Sequence, residues 1–219
     1  MTDETLAPTA LSRPKRKNQR GSHRRKDIHA ILDASPLCHI GYLVDGHPVV
    51  TPTLQWREGD HVYWHGSSAS RTLRTSADME VCLTVSLLDG YVLARSGMNH
   101  SANYRSVMLF GRAQKVVDPE QKAARLRAFV EGLWPGRWDA LRPLTEKELK
   151  ATTVLSMPIE EGAAKVRSGP PVDDEEDYAW PIWCGVVPVR QVYGEPEPDP
   201  RQLPGLAVPE YIEAMSDDT

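Results

Sequence analysis

From Leu37 onward, apolar and polar residues alternate with a period of two in short runs. Leu37–Val44 ends at Asp45-Gly46-His47-Pro48, Val49–Trp56 ends at Arg57-Glu58-Gly59-Asp60, and His61–His65 follows. Strand side chains point alternately to two faces. The pattern therefore predicts half-buried antiparallel strands joined by tight glycine-containing turns. Val81–Leu88 and Tyr91–Ser96 flank Asp89-Gly90, a hairpin signal, and Tyr104–Val117 reads as one long strand. Val154–Ile159, Ala163–Ser168 and Trp183–Val189 supply the last strands.

Helical spacing interrupts this pattern in a few places. Ile28, Ala30, Ile31 and Leu32 form an apolar stripe after Asp27. Ser68–Ser76 reads as a second short helix with Ser67 or Ser68 as its N-cap. Asp118-Pro119-Glu120 opens a helix running to about Gly132, with proline in the first turn and acid near the positive dipole end. Thr145-Glu146-Lys147-Glu148 has capping-box spacing. Many short strands with few inserted helices predict a mainly β chain, a barrel with peripheral helices rather than a βαβ fold.

Composition sets the boundaries. The 219 residues are 40% apolar and 26% charged, enough for one packed domain with polar tails. Arg13, Lys15, Arg16, Lys17, Arg20, Arg24, Arg25 and Lys26 crowd the start, so residues 1–26 are expected to be a disordered basic arm. Residues 27–193 form the expected domain, and 194–219 a proline-rich, acidic tail with a short amphipathic turn near Tyr211-Ile212. The net charge is −4 and no aromatics interleave the basic run, so nucleic acid is not the expected partner. No apolar run reaches membrane length and the first residues lack a leader pattern, so a cytoplasmic protein without a membrane span is expected. Cys38, Cys82 and Cys184 lie far apart and read as free thiols. No metal site is expected, and neither GxGxxG nor GxxxxGK[ST] occurs.

Four segments carry candidate chemistry. His65-Gly66-Ser67-Ser68-Ala69-Ser70-Arg71 places hydroxyls and a guanidinium at a predicted helix start, where free N–H groups favour phosphate. Read alone, it fits an N-capped surface helix with an incidental arginine better. Pro52 within Val49–Trp56 removes a ladder donor and suits an edge or ligand-facing position. Asn103-Tyr104-Arg105-Ser106 brings polar groups into a long apolar strand. Lys165 and Arg167 precede Gly169-Pro170-Pro171 and suit an anionic substrate; the bland alternative pairs them with the acidic loop 173–177. Trp183 is either core or a stacking surface. His65 ends the aromatic strand Tyr63-Trp64, where a proton-transfer or ring-edge role is open.

Taken together, Leu37–Tyr42, Tyr63–Leu73, Val81–Ser96, Asn103–Ala113 and Lys165–Pro171 resemble the FMN-binding split-barrel family. This family contains pyridoxamine 5′-phosphate oxidase-like and nitroimidazole-reductase-like proteins. The likeness spans about residues 26–193 and is greatest to the long-form members. It implies a six-stranded split β-barrel, a homodimer with FMN at the interface, and an oxidoreductase acting on a small molecule. NADH, NADPH or the substrate would supply electrons. By the same resemblance, Ser67, Ser70 and Arg71 hold the phosphate, while Thr53, Leu54, His65 and Gly66 line the ring. Tyr104, Arg105 and Ser106 close the site, in many members from the second subunit, with Asn103 nearby and Trp183 as cover. Lys165 and Arg167 would meet the substrate. Two family features are missing: a lysine after Ser70-Arg71, and the C-terminal Arg-x-His pattern. Vitamin B6 oxidation is therefore not expected. Flavin storage or sensing without turnover remains an alternative, as do deazaflavin and haem binding. If Arg71 grips the phosphate, Arg71→Ala weakens flavin binding by about 1.5–3 kcal/mol, read by fluorescence titration; unchanged affinity would sink the assignment.

Overall fold

The computed structural model describes residues 4–70, Leu73 and 78–217. In chain order its elements begin with β1 (Gly21–Ser22), α1 (Arg25–Asp33), β2 (Leu37–Val44), β3 (His47–Glu58) and β4 (His61–Ser67). They continue with β5 (Glu80–Leu93), β6 (Ser101–Arg112), β7 (Gln114–Lys115), α2 (Pro119–Leu133) and α3 (Glu146–Ala151). The last are β8 (Thr152–Pro158), β9 (Glu161–Arg167), β10 (Gly185–Pro188) and α4 (Glu210–Asp217). All strand pairings are antiparallel, in the order β1-β9-β6-β5-β2-β3-β4-β8-β7, with β10 added to β5. The sheet curls around a core without closing, as a split barrel does.

The alternation that predicted the strands also sorts their faces. β2 buries Cys38, Ile40 and Tyr42 and turns Leu37, His39 and Leu43 outward. Ile40 pairs with Leu83, and Leu83 with Leu109, so one buried row crosses three strands. α1 inserts Ile28, Ile31 and Leu32 into this core beside Trp64, Leu155 and Met157. A second cluster joins Trp56, Tyr63 and Val154 to Phe129 of α2. Asp118 caps α2 by accepting from Gln121 N–H at 2.8 Å, and the predicted capping box of α3 is formed. The three cysteines are free, and burial pushes the Cys38 thiol up to about 12.

Two expectations change. Asp89-Gly90 makes no hairpin: β5 runs straight through and both halves pair with β6. Leu88 opposes Tyr104 and Gly90 opposes Asn103, leaving Asp89 as an extra residue whose carboxylate pairs with Arg105. A bulge uses the same residue types as a hairpin turn, and here the partner strand was long enough to serve both halves. The basic arm, expected to be disordered, instead lies along the sheet. Leu6 is 4% exposed within the core, its N–H bonds His23 at 2.9 Å, and Thr9 donates to Glu161. Leu6 supplies the apolar anchor and the β9 edge supplies the backbone partners.

Gly162 of β9 has no room for a side chain. An added Cβ would sit 2.6 Å from Leu109 Cδ2 and 2.7 Å from the Met108 carbonyl. Gly162→Ala should cost about 1–3 kcal/mol in urea unfolding. Gly132→Ala, in a helix with nothing within 4 Å, should instead stabilise by about 0.5–1 kcal/mol. The same sign for both would contradict this packing.

Candidate cofactor cleft

β3 changes partner along its length. From His47 to Leu54 it pairs with β2, and from Gln55 to Glu58 with β4. β4 meets β3 only as far as Trp64, after which His65, Gly66 and Ser67 pair only with β8. The two strands therefore part, and a cleft opens between Thr51–Leu54 and His65–Ser67. A cavity of about 370 Å³ touches Leu37, Pro52, Thr53, Leu54 and His65. A deeper one of about 180 Å³ reaches Ile40, Trp64, Gly66, Ser67, Ser70 and Leu73.

Backbone chemistry gives the cleft its recognition. The β3 edge is unpaired here, so its amides and carbonyls need a partner. Gln55 N–H donates to Pro36 on the β2 side at 2.7 Å, so the adjacent Leu54 amide turns into the cleft. Pro52 has no N–H to leave unsatisfied. A flat heterocycle with a polar edge can pair with this backbone as a further strand would.

The opposite wall is aromatic. The His65 ring centroid is 4.8 Å from that of Phe129 and 5.8 Å from that of Trp56. His65 Nδ1 and Trp64 Nε1 are buried with no hydrogen-bond partner among the described residues. Burial lowers the His65 pKa and favours the neutral ring. At the mouth, Ser67 closes a turn in which its Oγ accepts from Ala69 N–H at 3.2 Å and its carbonyl from Ser70 N–H at 2.9 Å. Leu73 packs over Gly66, where an added Cβ would come within 2.8 Å of Leu73 Cδ1. Arg71 and most of the helix expected over 68–76 lie outside the described residues.

Thr53, Leu54, His65, Gly66, Ser67 and Ser70 thus converge within one chain. The remaining candidates do not join them. Tyr104, Arg105 and Ser106 sit on β6, separated from β3 by β5 and β2. Arg105 is held by Asp89 at 2.8–3.2 Å, which raises its pKa through those hydrogen bonds. Ser106 Oγ reaches the Lys165 carbonyl at 3.4 Å. Arg167 is 7% exposed and donates to Asn103 and to the Gly169 and Pro170 carbonyls, both at 3.1 Å. It fixes the Gly-Pro-Pro turn. The acidic loop does not pair with Arg167 or Lys165 either: buried Asp173 accepts instead from Arg95 and Asn99. Trp183 is 67% exposed, with its ring against Gly185. Among the described residues no group of three or more His, Cys, Asp or Glu could hold a metal ion, and no helix is long and apolar enough to cross a membrane.

Sequence reasoning missed Gln55. It is 2% exposed, and its Nε2 donates to the carbonyls of Leu32 at 2.7 Å and Ser35 at 2.8 Å. Its one signal was a polar residue between the apolar Leu54 and Trp56.

Comparison with known proteins accords with this geometry. A family model described as pyridoxamine 5′-phosphate oxidase matches residues 24–166. The structure of the flavocytochrome Anf3 from Azotobacter vinelandii is 52% identical, with a TM-score of 0.92 over 96% of this chain and 98% of that one. The FAD and haem binding protein from Mycobacterium smegmatis is 36% identical, with a TM-score of 0.86 over 90% and 97% of the two chains. A proposed 5-nitroimidazole antibiotic resistance protein from Bacteroides thetaiotaomicron is 21% identical (TM-score 0.55; 67% and 86% covered) and shares the fold. No curated protein sequence matches the chain.

The neutral His65 ring implies a pH dependence. A histidine with lowered folded pKa contributes fully above its unfolded value, about 6.5, and loses that contribution as pH falls through the folded pKa. His29, lowered chiefly by burial and then by Arg57, acts in the same window. His65→Phe should therefore lose less stability than the wild type between about pH 7.5 and 5.5, measured by urea unfolding. Parallel losses would show that His65 protonates as readily folded as unfolded.

Proposed function

Because the chain belongs to the pyridoxamine 5′-phosphate oxidase family, we propose that it is a redox protein that binds both a flavin and haem. The observation carrying this reading is the 52% identity, over nearly the whole of both chains, to a protein called a flavocytochrome. The name of the Mycobacterium smegmatis relative adds haem explicitly and favours FAD over the FMN expected from the sequence. The unpaired β3 edge and the orphaned His65 Nδ1 suit the ring of a flavin. Ser67 and Ser70 supply hydroxyls for its phosphate end.

A neutral imidazole beside an apolar surface is one common way to hold haem. His39 stands on the outer face of β2, across from Pro52 and Thr84. Exposed Leu37, Val50 and Leu54 occupy neighbouring positions of the two strands. We assign His39 to iron and His65 to the flavin cleft. Flavin and haem together supply two-electron and one-electron chemistry when bound. The chain's part is to orient them, bury their apolar faces and exclude water. A homodimer would cover the same outer face and allow a second copy to bring its Tyr104, Ser106 and Trp183 toward the cleft. NADH or NADPH remains the proposed donor, with a small molecule as substrate.

The absorption spectrum of the purified protein tests the reading. Flavin bands and a Soret band should both be present, and anaerobic NADPH should bleach the first and shift the second. His39→Ala should lose the Soret band and keep the flavin. Flavin without haem would reduce the proposal to a flavoprotein; neither chromophore, even after reconstitution, would overturn it. Spectra that persist on adding NADPH would point to another donor, or to storage or sensing.

A further inference from the structure

The docked N-terminal arm creates an electrostatic problem that its hydrogen bonds do not solve. A 3₁₀ turn, Asn18–Arg20, leads into β1, where Gly21 pairs with Lys165. This register sets Arg16, Lys17 and Arg20 beside Lys165 and Arg167 of β9. The crowding shows in their acid–base behaviour. Arg20 is the largest of several causes that lower the Lys17 pKa, with Arg16, Arg167 and Lys165 adding to it. Arg167 is lowered by burial first and then by Arg20.

Carboxylates do not offset this charge. Among the described residues, none of these five cations forms an ion pair. Arg167 is the unusual member. Its guanidinium is buried, bonds only to neutral oxygens, and leaves Nε without a partner. Buried arginine is normally neutralised by an acid or a bound anion. Lys17 also holds a left-handed backbone (φ 52°) that side-chain-bearing residues seldom adopt. The chain keeps five like charges together although solvent would separate them.

We propose that Arg16, Lys17, Arg20, Lys165 and Arg167 form a binding site for a small multivalent oxyanion group. Two or more phosphate or carboxylate oxygens would neutralise the cluster and meet guanidinium donors in the geometry they favour. The rigid Gly169-Pro170-Pro171 turn and the buried Arg167 suit a compact group. No aromatic residue interleaves the cations of the arm, which disfavours stacked single-stranded nucleic acid. The oxyanion is either a free anion or the charged arm of a bound cofactor, and the chemistry is the same. An anion that binds only the docked arm stabilises that state by mass action.

The test uses the protein as isolated. Thermal unfolding is compared in inorganic pyrophosphate and in sodium chloride at equal ionic strength, for wild type and for Arg20→Ala/Lys165→Ala. Bound cofactor is measured by absorbance in each. If the anion is free, pyrophosphate raises the wild-type Tm a few degrees above chloride, and the double variant loses that increment with its cofactor intact. If the site holds a cofactor's charged arm, the double variant loses cofactor whether or not the wild type responds. A second double variant, Lys147→Ala/Arg201→Ala, removes the same charge elsewhere and should behave as wild type. The proposal falls if pyrophosphate does no more than chloride while the Arg20/Lys165 variant keeps its cofactor. It falls equally if both double variants behave alike. These outcomes do not depend on the flavin and haem reading, because a protein isolated without cofactor still answers the pyrophosphate comparison.

Discussion

The change of partner at Gln55 is the constraint on which the site depends. One strand serves β2 with its first eight residues and β4 with its last four. Such a switch leaves unpaired backbone on both sides unless something fixes where it occurs. The Gln55 amide does so by satisfying the Leu32 carbonyl at the end of α1 and the Ser35 carbonyl in the turn that follows, while its main chain bonds Pro36. Leaving either carbonyl buried and unsatisfied would cost about 1–3 kcal/mol. The same residue therefore sets the depth of α1 in the core and the point where β3 and β4 part.

The two cofactor positions proposed above meet at this strand. Pro52 lines the cleft and also lies across from His39 on the outer face. Leu37, Pro52 and Leu54 share that face with His39 and also line the cleft, so the two groups would lie close together, a short path for electrons. The inner face has no such latitude, since the Ile40–Leu83–Leu109 row is closed to solvent. Both proposed cofactor positions therefore lie at the edge that β3 leaves open or on the outer face.

Most of the strands were legible because one face of each is dry, which forces the period of two. β2, β4, α2 and the α3 capping box follow the sequence reading closely. The failures are instructive. Asp89-Gly90 reads alike as a turn or a bulge, because the choice depends on a partner strand distant in sequence. The basic arm looked free because charge was weighed without Leu6, whose burial needs a core assembled from remote segments. Within the site, the family resemblance named Thr53, Leu54, His65, Gly66, Ser67 and Ser70 together, and the structure brings them to one cleft. Sequence reasoning did not foresee the burial of Arg167, since no local pattern shows that the Gly-Pro-Pro carbonyls will fold back onto it.

Both ends of the ladder finish in strands of two residues, β1 at one side and β7 at the other. A longer rim would offer a row of unpaired amides and carbonyls on which a neighbouring molecule could grow. β1 covers part of β9, and its flanking lysines and arginines repel a second copy approaching that rim. Covered in this way, the rim offers few free backbone groups to another sheet. A protease that clipped the arm would take Leu6 out of the core and bare the β9 rim, and the damage would be seen first as insoluble protein at high concentration.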